Sequence, residues 1–161
     1  MRGCRPGRNL TGRQLVYEGF LPEDLPDWQM PFWESLRRHE ARVQRCLRCG
    51  AYRYHPKEIC NRCQAPDAEW AVITGRGEIY TYTVIRRPPT PAYQAQVPYV
   101  IAHVAMDEGF RMIGTLRGVE PAGVRIGLPV QISYDDITPE WTLPAFVPAA
   151  QDDPQQSGGR R

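Results

Sequence analysis

Apolar and polar positions along the chain change rhythm near residue 31 and again near residue 71. Residues 1–30 mix Arg, Gly and Pro with few apolar anchors, and Pro22, Pro26 and Pro31 exclude a long helix before residue 31. This predicts a flexible arm. From residue 31 the text reads PFWESLRRHEA. Phe32 and Leu36, with Trp33 beside them, recur at helical spacing, while Glu34, Arg37, Arg38 and Glu40 fall on the other side. With Pro31 in the first turn, the pattern predicts an amphipathic helix over 31–41.

The second half alternates at the shorter period of a strand. EIYTYTVIRR (78–87) is rich in β-branched and aromatic residues. YVIAHVAM (99–106) and FRMIGTLR (110–117) flank Asp107-Glu108-Gly109, a hairpin turn by composition. PVQISY (129–134) is a further strand. Gly75 and Gly77 bracket Arg76 just before the first long strand and predict a bulge or sharp bend. Several short strands in about 75 residues fit a five-stranded barrel of the OB type over 71–147. The tail, 148–161, has the composition of a disordered end.

Between helix and barrel lies a segment with neither period, 42–70. It holds four of the five cysteines, as Cys46-x-x-Cys49 and Cys60-x-x-Cys63. Paired Cys-x-x-Cys motifs at this spacing predict a metal site. Four thiolates favour tetrahedral zinc and leave no open position for water or substrate, so the ion is structural; iron in a rubredoxin-like site is the lesser alternative. A redox dithiol would need one pair in a βαβ context, which is absent. Gly50 follows the second cysteine where the knuckle needs positive φ. Cys4 reads as a free thiol outside the module.

Charge changes the picture modestly. Residues 1–63 carry 12 basic against 7 acidic residues, and residues 64–161 carry 8 against 11. A basic first half attracts phosphate, from nucleic acid or from a cofactor such as coenzyme A. Of the 20 basic residues 19 are Arg, a bias that a GC-rich genome also produces. No stretch approaches the ~20 apolar residues of a membrane span and no secretory h-region is visible, so a cytoplasmic, thiol-reduced setting is expected. His39 reads as structural, His55 as a solvated loop histidine and His103, in mid-strand, as a satisfied barrel residue. Asp107-Glu108 and Asp135-Asp136 read as turn acids. No nucleophile–base arrangement or phosphate loop is present.

The order of modules is informative. PFWESLRRHEARVQRCLRCG, CNRC, GRGEIYTYTVI, PYVIAHVAMDEG, RIGLPVQISYDD and LPAFVP together resemble the acyl-CoA-associated family of zinc-ribbon and OB-fold proteins, long catalogued as a domain of unknown function. The resemblance covers residues 31–147. It implies a mainly β fold: N-terminal helix, rubredoxin-like four-cysteine zinc ribbon, five-stranded OB barrel. It implies a non-catalytic subunit in a hetero-oligomer with a thiolase-superfamily enzyme. The nearest match in kind is the subunit paired with a thiolase-like lipid-transfer-protein aldolase of steroid side-chain degradation. Contact with acyl-CoA would then be indirect, with the chain helping to form the coenzyme A channel. On this reading Phe32, Trp33 and Leu36 are candidates for the partner interface. Arg48, Arg53, Arg62, Arg86 and Arg87 are candidates for coenzyme A phosphates. Similar domains also occur fused behind hydratase-like domains, so this chain is either free-standing or part of a longer protein.

The alternative is a single-stranded nucleic-acid-binding OB protein with Tyr80, Tyr82, Tyr93 and Tyr99 as a stacking platform. The acidic balance of the β half opposes it.

Overall fold

The computed structural model describes residue 21 and residues 25–149. Of the expected arm over 1–30, residues 1–20 and 22–24, Cys4 among them, lie outside the described residues, as do residues 150–161 of the expected tail; residues 27–30 are ordered into a turn and the start of a helix.

A short 3-10 turn, Asp27–Gln29, leads into α1, Met30–Arg37. The helix stops four residues short of the expected end. Its last carbonyls are taken up by the amides of Arg38, His39 and Glu40, with His39 at positive φ, and β1 begins at Arg42. Phe32, Ser35 and Leu36 face inward. Buried Ser35 ties the helix down: its Oγ donates to the Phe32 carbonyl at 2.7 Å and accepts from the Arg42 amide at 3.2 Å.

Next come β1 (Arg42–Cys46), β2 (Tyr52–Arg53) and β3 (Ala68–Val72), in a small antiparallel sheet ordered β2-β1-β3. The module is therefore a three-stranded sheet carrying two knuckles, and its last strand runs to Val72.

Five strands close the barrel: β4 (Arg76–Ile85), β5 (Tyr99–Met106), β6 (Arg111–Leu116), β7 (Pro129–Asp136) and β8 (Thr142–Pro148), in the order β4-β5-β6-β8-β7. β6 and β8 pair in parallel and the other neighbours are antiparallel. This is the mainly β, OB-type architecture expected. Alternate residues of β5, Val100, Ala102, Val104 and Met106, point into a core shared with Ile79, Met112, Val130 and Phe146. Phe32, Leu36 and Val43 belong to the same core, so helix, sheet and barrel are one packed body.

Gly75 sits at the bend between β3 and β4 with φ +73°, and a Cβ there would collide with Cγ2 of Ile132. The bulge itself lies between Ile79 and Thr81. It breaks the alternation of β4: Tyr80 is exposed, while Tyr82 turns to the core and its hydroxyl donates to the Val124 carbonyl at 3.0 Å. Asp135 and Asp136 were expected in a turn. They are instead the last residues of β7, paired across to Leu143 and Thr142.

Candidate metal centre and cleft

The two knuckles are copies of one local design, CLRCGA (46–51) and CNRCQA (60–65). In each, the first cysteine's amide donates to the alanine carbonyl five residues on, at 2.9 Å for Cys46 and 3.0 Å for Cys60. In each, the residue after the second cysteine donates back to the first cysteine's carbonyl at 2.9 Å. That residue must take positive φ: Gly50 is at +70° and Gln64 at +62°. Glycine does so without steric cost; glutamine does not.

This geometry brings Cys46, Cys49, Cys60 and Cys63 together with all four sulfurs within 4.8 Å of one another. Cys46 and Cys63 are 3.6 Å apart, and Cys49 and Cys60 3.7 Å, as free thiols. A tetrahedral ion with metal–sulfur bonds of ~2.3 Å needs sulfur–sulfur edges of ~3.8 Å. The cluster therefore fits a single tetrahedral ion, and four sulfurs accept either zinc or iron. Knuckle amides point at the sulfurs, as at Arg62 N to Cys60 Sγ, 3.4 Å. The Cys49 amide, aided by Arg53 and the Arg48 amide, brings the Cys46 thiol down to about 6 despite burial. The amides of Arg62 and Cys63 lower Cys60. Cys63 accepts from Ala65, yet burial and three neighbouring sulfurs push it up to about 11. Packed this closely, the sulfurs resist becoming thiolates together unless a cation joins them.

The arginine candidates divide. Arg48 and Arg62 are exposed on the knuckles; Arg86 and Arg87 are exposed after β4. Arg53 is corrected outright. It is 1% exposed, and its guanidinium donates to the carbonyls of Lys57, Glu58, Ala65, Pro66 and Asp67 at 2.8–3.2 Å. It has no surface to offer a phosphate. Phe32 and Leu36 differ from expectation likewise: both are buried in this chain's own core, at 1% and 0% exposure, rather than displayed on the surface. Trp33 alone of the three is partly exposed, packed edge-on to Phe32 and Trp141.

Trp33 also walls a cleft of about 370 Å³ between the modules. Its floor is the outer face of the barrel, with Ile101, Ile113 and Leu143. The ribbon contributes Tyr54 and His55, and a 3-10 turn over Pro91–Gln96 contributes Tyr93. Tyr54 donates to the Ile113 carbonyl, and burial pushes its phenol well above the ordinary range, so it stays neutral. Burial and Lys57 hold His55 below its ordinary value. At one side Arg117 grips Asp135 through Nε and Nη2, at 3.0 and 2.8 Å. A small cleft whose surface is mostly apolar is suited to holding part of an organic molecule or an inserted side chain, and among its described residues it presents no nucleophile with an adjacent base. Sequence reading missed it because its walls come from five separate segments.

The tyrosine platform does not form. Tyr80 is stacked under Arg111, whose Cζ lies 3.6 Å from the ring centre, Tyr82 points inward, and Tyr93 and Tyr99 tilt against each other elsewhere. His39, expected to be structural, stacks on Tyr134 and bonds Asp136 at 3.0 Å. His103 is exposed on β5 rather than held in the barrel.

Comparison with known proteins gives this geometry a family. The C-terminal OB-fold domain of ChsH2 matches residues 70–135. A "DUF35 domain-containing scaffold protein" of Methanocaldococcus jannaschii is 35% identical over 104 residues, which are 63% of this chain and 73% of that protein. The chain belongs to the DUF35 family. The "3-oxo-4,17-pregnadiene-20-carboxyl-CoA hydratase alpha subunit" of Mycobacterium tuberculosis is 38% identical to this DUF35 chain over 138 residues, 80% of this chain and 43% of that one. The DUF35 chain spans about two-fifths of the length of the curated hydratase subunits it matches. Among solved structures, a chain of "Ltp2-ChsH2(DUF35) aldolase" superposes with TM-score 0.72 at 32% identity, covering 80% of this chain and all of the other. No helix among the described residues is long and apolar enough to cross a membrane.

Proposed function

We propose that this DUF35 protein is a non-catalytic subunit that binds and stabilises a thiolase-superfamily enzyme acting on acyl-CoA substrates. The closest partner in kind is a thiolase-like lipid-transfer protein that cleaves a steroid side-chain acyl-CoA by retro-aldol chemistry. One observation carries the reading: the match to a chain of the "Ltp2-ChsH2(DUF35) aldolase" structure extends over that chain's whole length. The site chemistry agrees. Carbon–carbon cleavage needs a positioned base or acid, and the described residues offer a closed thiolate cluster and an apolar cleft instead. The catalytic groups then belong to the partner.

In this role Cys46, Cys49, Cys60 and Cys63 hold a structural zinc ion, which cross-links two knuckles too small to fold unaided. Trp33 and the cleft beside it offer apolar surface to the partner or to the coenzyme A thioester at the shared channel. Arg48, Arg62, Arg86 and Arg87 remain the side chains available to coenzyme A phosphates. The setting for such an enzyme is the cytoplasm.

The test is native mass spectrometry of the tagged chain recovered from its host at moderate salt. The expected result is a hetero-oligomer with a thiolase-superfamily chain and one metal ion per copy of this subunit, with acyl-CoA cleavage lost when either chain is omitted. The reading fails if the isolated chain cleaves acyl-CoA alone. It also fails if the chain is a monomer whose ligand is single-stranded DNA, bound with the steep salt dependence of phosphate contacts.

A further inference from the structure

The four-cysteine centre contains a second built feature, the guanidinium of Arg53. Arginine in a buried position normally faces a carboxylate, because an uncompensated charge in a low-dielectric interior is costly. Arg53 is 1% exposed and forms no ion pair with an acid among the described residues. Its partners are five main-chain carbonyls, and their positions matter. Lys57 and Glu58 lie just before Cys60; Ala65, Pro66 and Asp67 lie just after Cys63. One planar side chain therefore clasps both arms of the loop that presents the second pair of sulfurs. Gln44, also buried, reinforces the near arm by accepting from the Lys57 amide at 2.7 Å.

We infer that Arg53 is the positioning residue of the metal centre: it holds the second knuckle in its ligating geometry. Five carbonyl acceptors on the two arms of the loop take the place of an acidic partner. Lysine has a defined shortfall here, since a single ammonium has three donors and no plane with which to span both arms. Loss of groups that orient metal ligands typically lowers metal affinity by ~10–100-fold.

The experiment compares wild-type, Arg53→Met, Arg53→Lys and Arg45→Met, the last removing a neighbouring exposed charge whose ion pair among the described residues is with Glu69. Zinc affinity is read by competition with a chromogenic chelator. The ligand field is read from the absorption bands of the cobalt-substituted protein, and the barrel from hydrogen exchange of β4–β8. Arg53→Met is expected to lose zinc affinity by at least ~10-fold, Arg53→Lys to fall between it and wild type, and both to shift the cobalt bands. Barrel protection and Arg45→Met should match wild type. Wild-type affinity and cobalt spectrum in Arg53→Lys would overturn the inference, and this variant decides the matter if Arg53→Met does not fold. A loss of barrel protection in step with metal loss also overturns it, because Arg53 would then act through general stability.

Discussion

Gly75→Ala is the most informative single substitution in the chain, because two costs coincide at one atom. The residue is at φ +73°, and an added Cβ meets Cγ2 of Ile132 at far less than contact distance. The conformational cost of an L side chain in the left-handed region is ~1–2 kcal/mol. Overpacking a core side chain that cannot swing away adds ~1–3 kcal/mol. Ile132 is mostly buried on β7 and its amide donates to the Gly75 carbonyl at 2.7 Å, so the strand is held where it is. The sum is about 2–5 kcal/mol, a large share of the stability of a domain this size. Gly109→Ala separates the two costs. Its φ is +82°, and nothing lies within 4 Å of the added atom, so only the conformational cost applies. Equilibrium urea unfolding should place Gly75→Ala at least ~1 kcal/mol below Gly109→Ala. In an Ile132→Ala background, which removes the colliding methyl, that gap should close as a coupling energy. Equal losses in the two glycine variants would show that the bend yields and that the collision argument is wrong.

Other outcomes follow from the same structure. Chelating the metal should release hydrogen-exchange protection across residues 46–67 while leaving the amides of β5 and β6 protected, because the cluster around the knuckles consists of the four cysteines with Ala51 and Ala65, all small side chains. Metal retention should weaken as pH falls, since the ligating sulfurs must be deprotonated, and a titration with excess zinc should release protons. Burial pushes the Asp136 carboxyl up, but its bonds to His39 and Thr142 and the His39 charge together outweigh this and hold it below the ordinary carboxylate value. Its contribution is therefore present above the unfolded carboxylate value and lost as pH falls through the lower folded one. The pair is more than half exposed, so Asp136→Asn should flatten the acid limb of a stability–pH curve by under ~1 kcal/mol. Gln64→Gly should retain or improve knuckle stability where Gly50→Gln lowers it, read as the rate of zinc release.

The four-cysteine cluster and most barrel strands were legible in the amino-acid sequence because their signals are local. Two Cys-x-x-Cys pairs state their chemistry in four letters each, and β5 alternates without interruption. What escaped was long-range. Arg53 looks like any solvated arginine until the loop at 57–67 folds around it. Tyr80 and Tyr82 share a face in an ideal strand, and only the bulge between Ile79 and Thr81 sends them apart. β8 was obscured by Pro144 and Pro148, which discourage a strand reading although both find places in the ladder with β7. Phe32 and Leu36 were rightly placed on one helical face. Periodicity says that such a face is covered, and says nothing about which surface covers it. The cleft has no sequence signature, since residues as distant as Trp33 and Leu143 meet only in the folded chain.

The junction at Gly75 has a mechanical consequence. Only Ile73, Thr74 and Gly75 separate β3 from β4, and hydrogen bonds clamp them from both sides, Ile73 to Ala41 and Ile132 to Gly75. A joint so short and so tethered transmits torque. Whatever grips the cysteine knuckles thereby aims the barrel wall, as a jig fixes a workpiece, and leverage applied at one end is felt at the other.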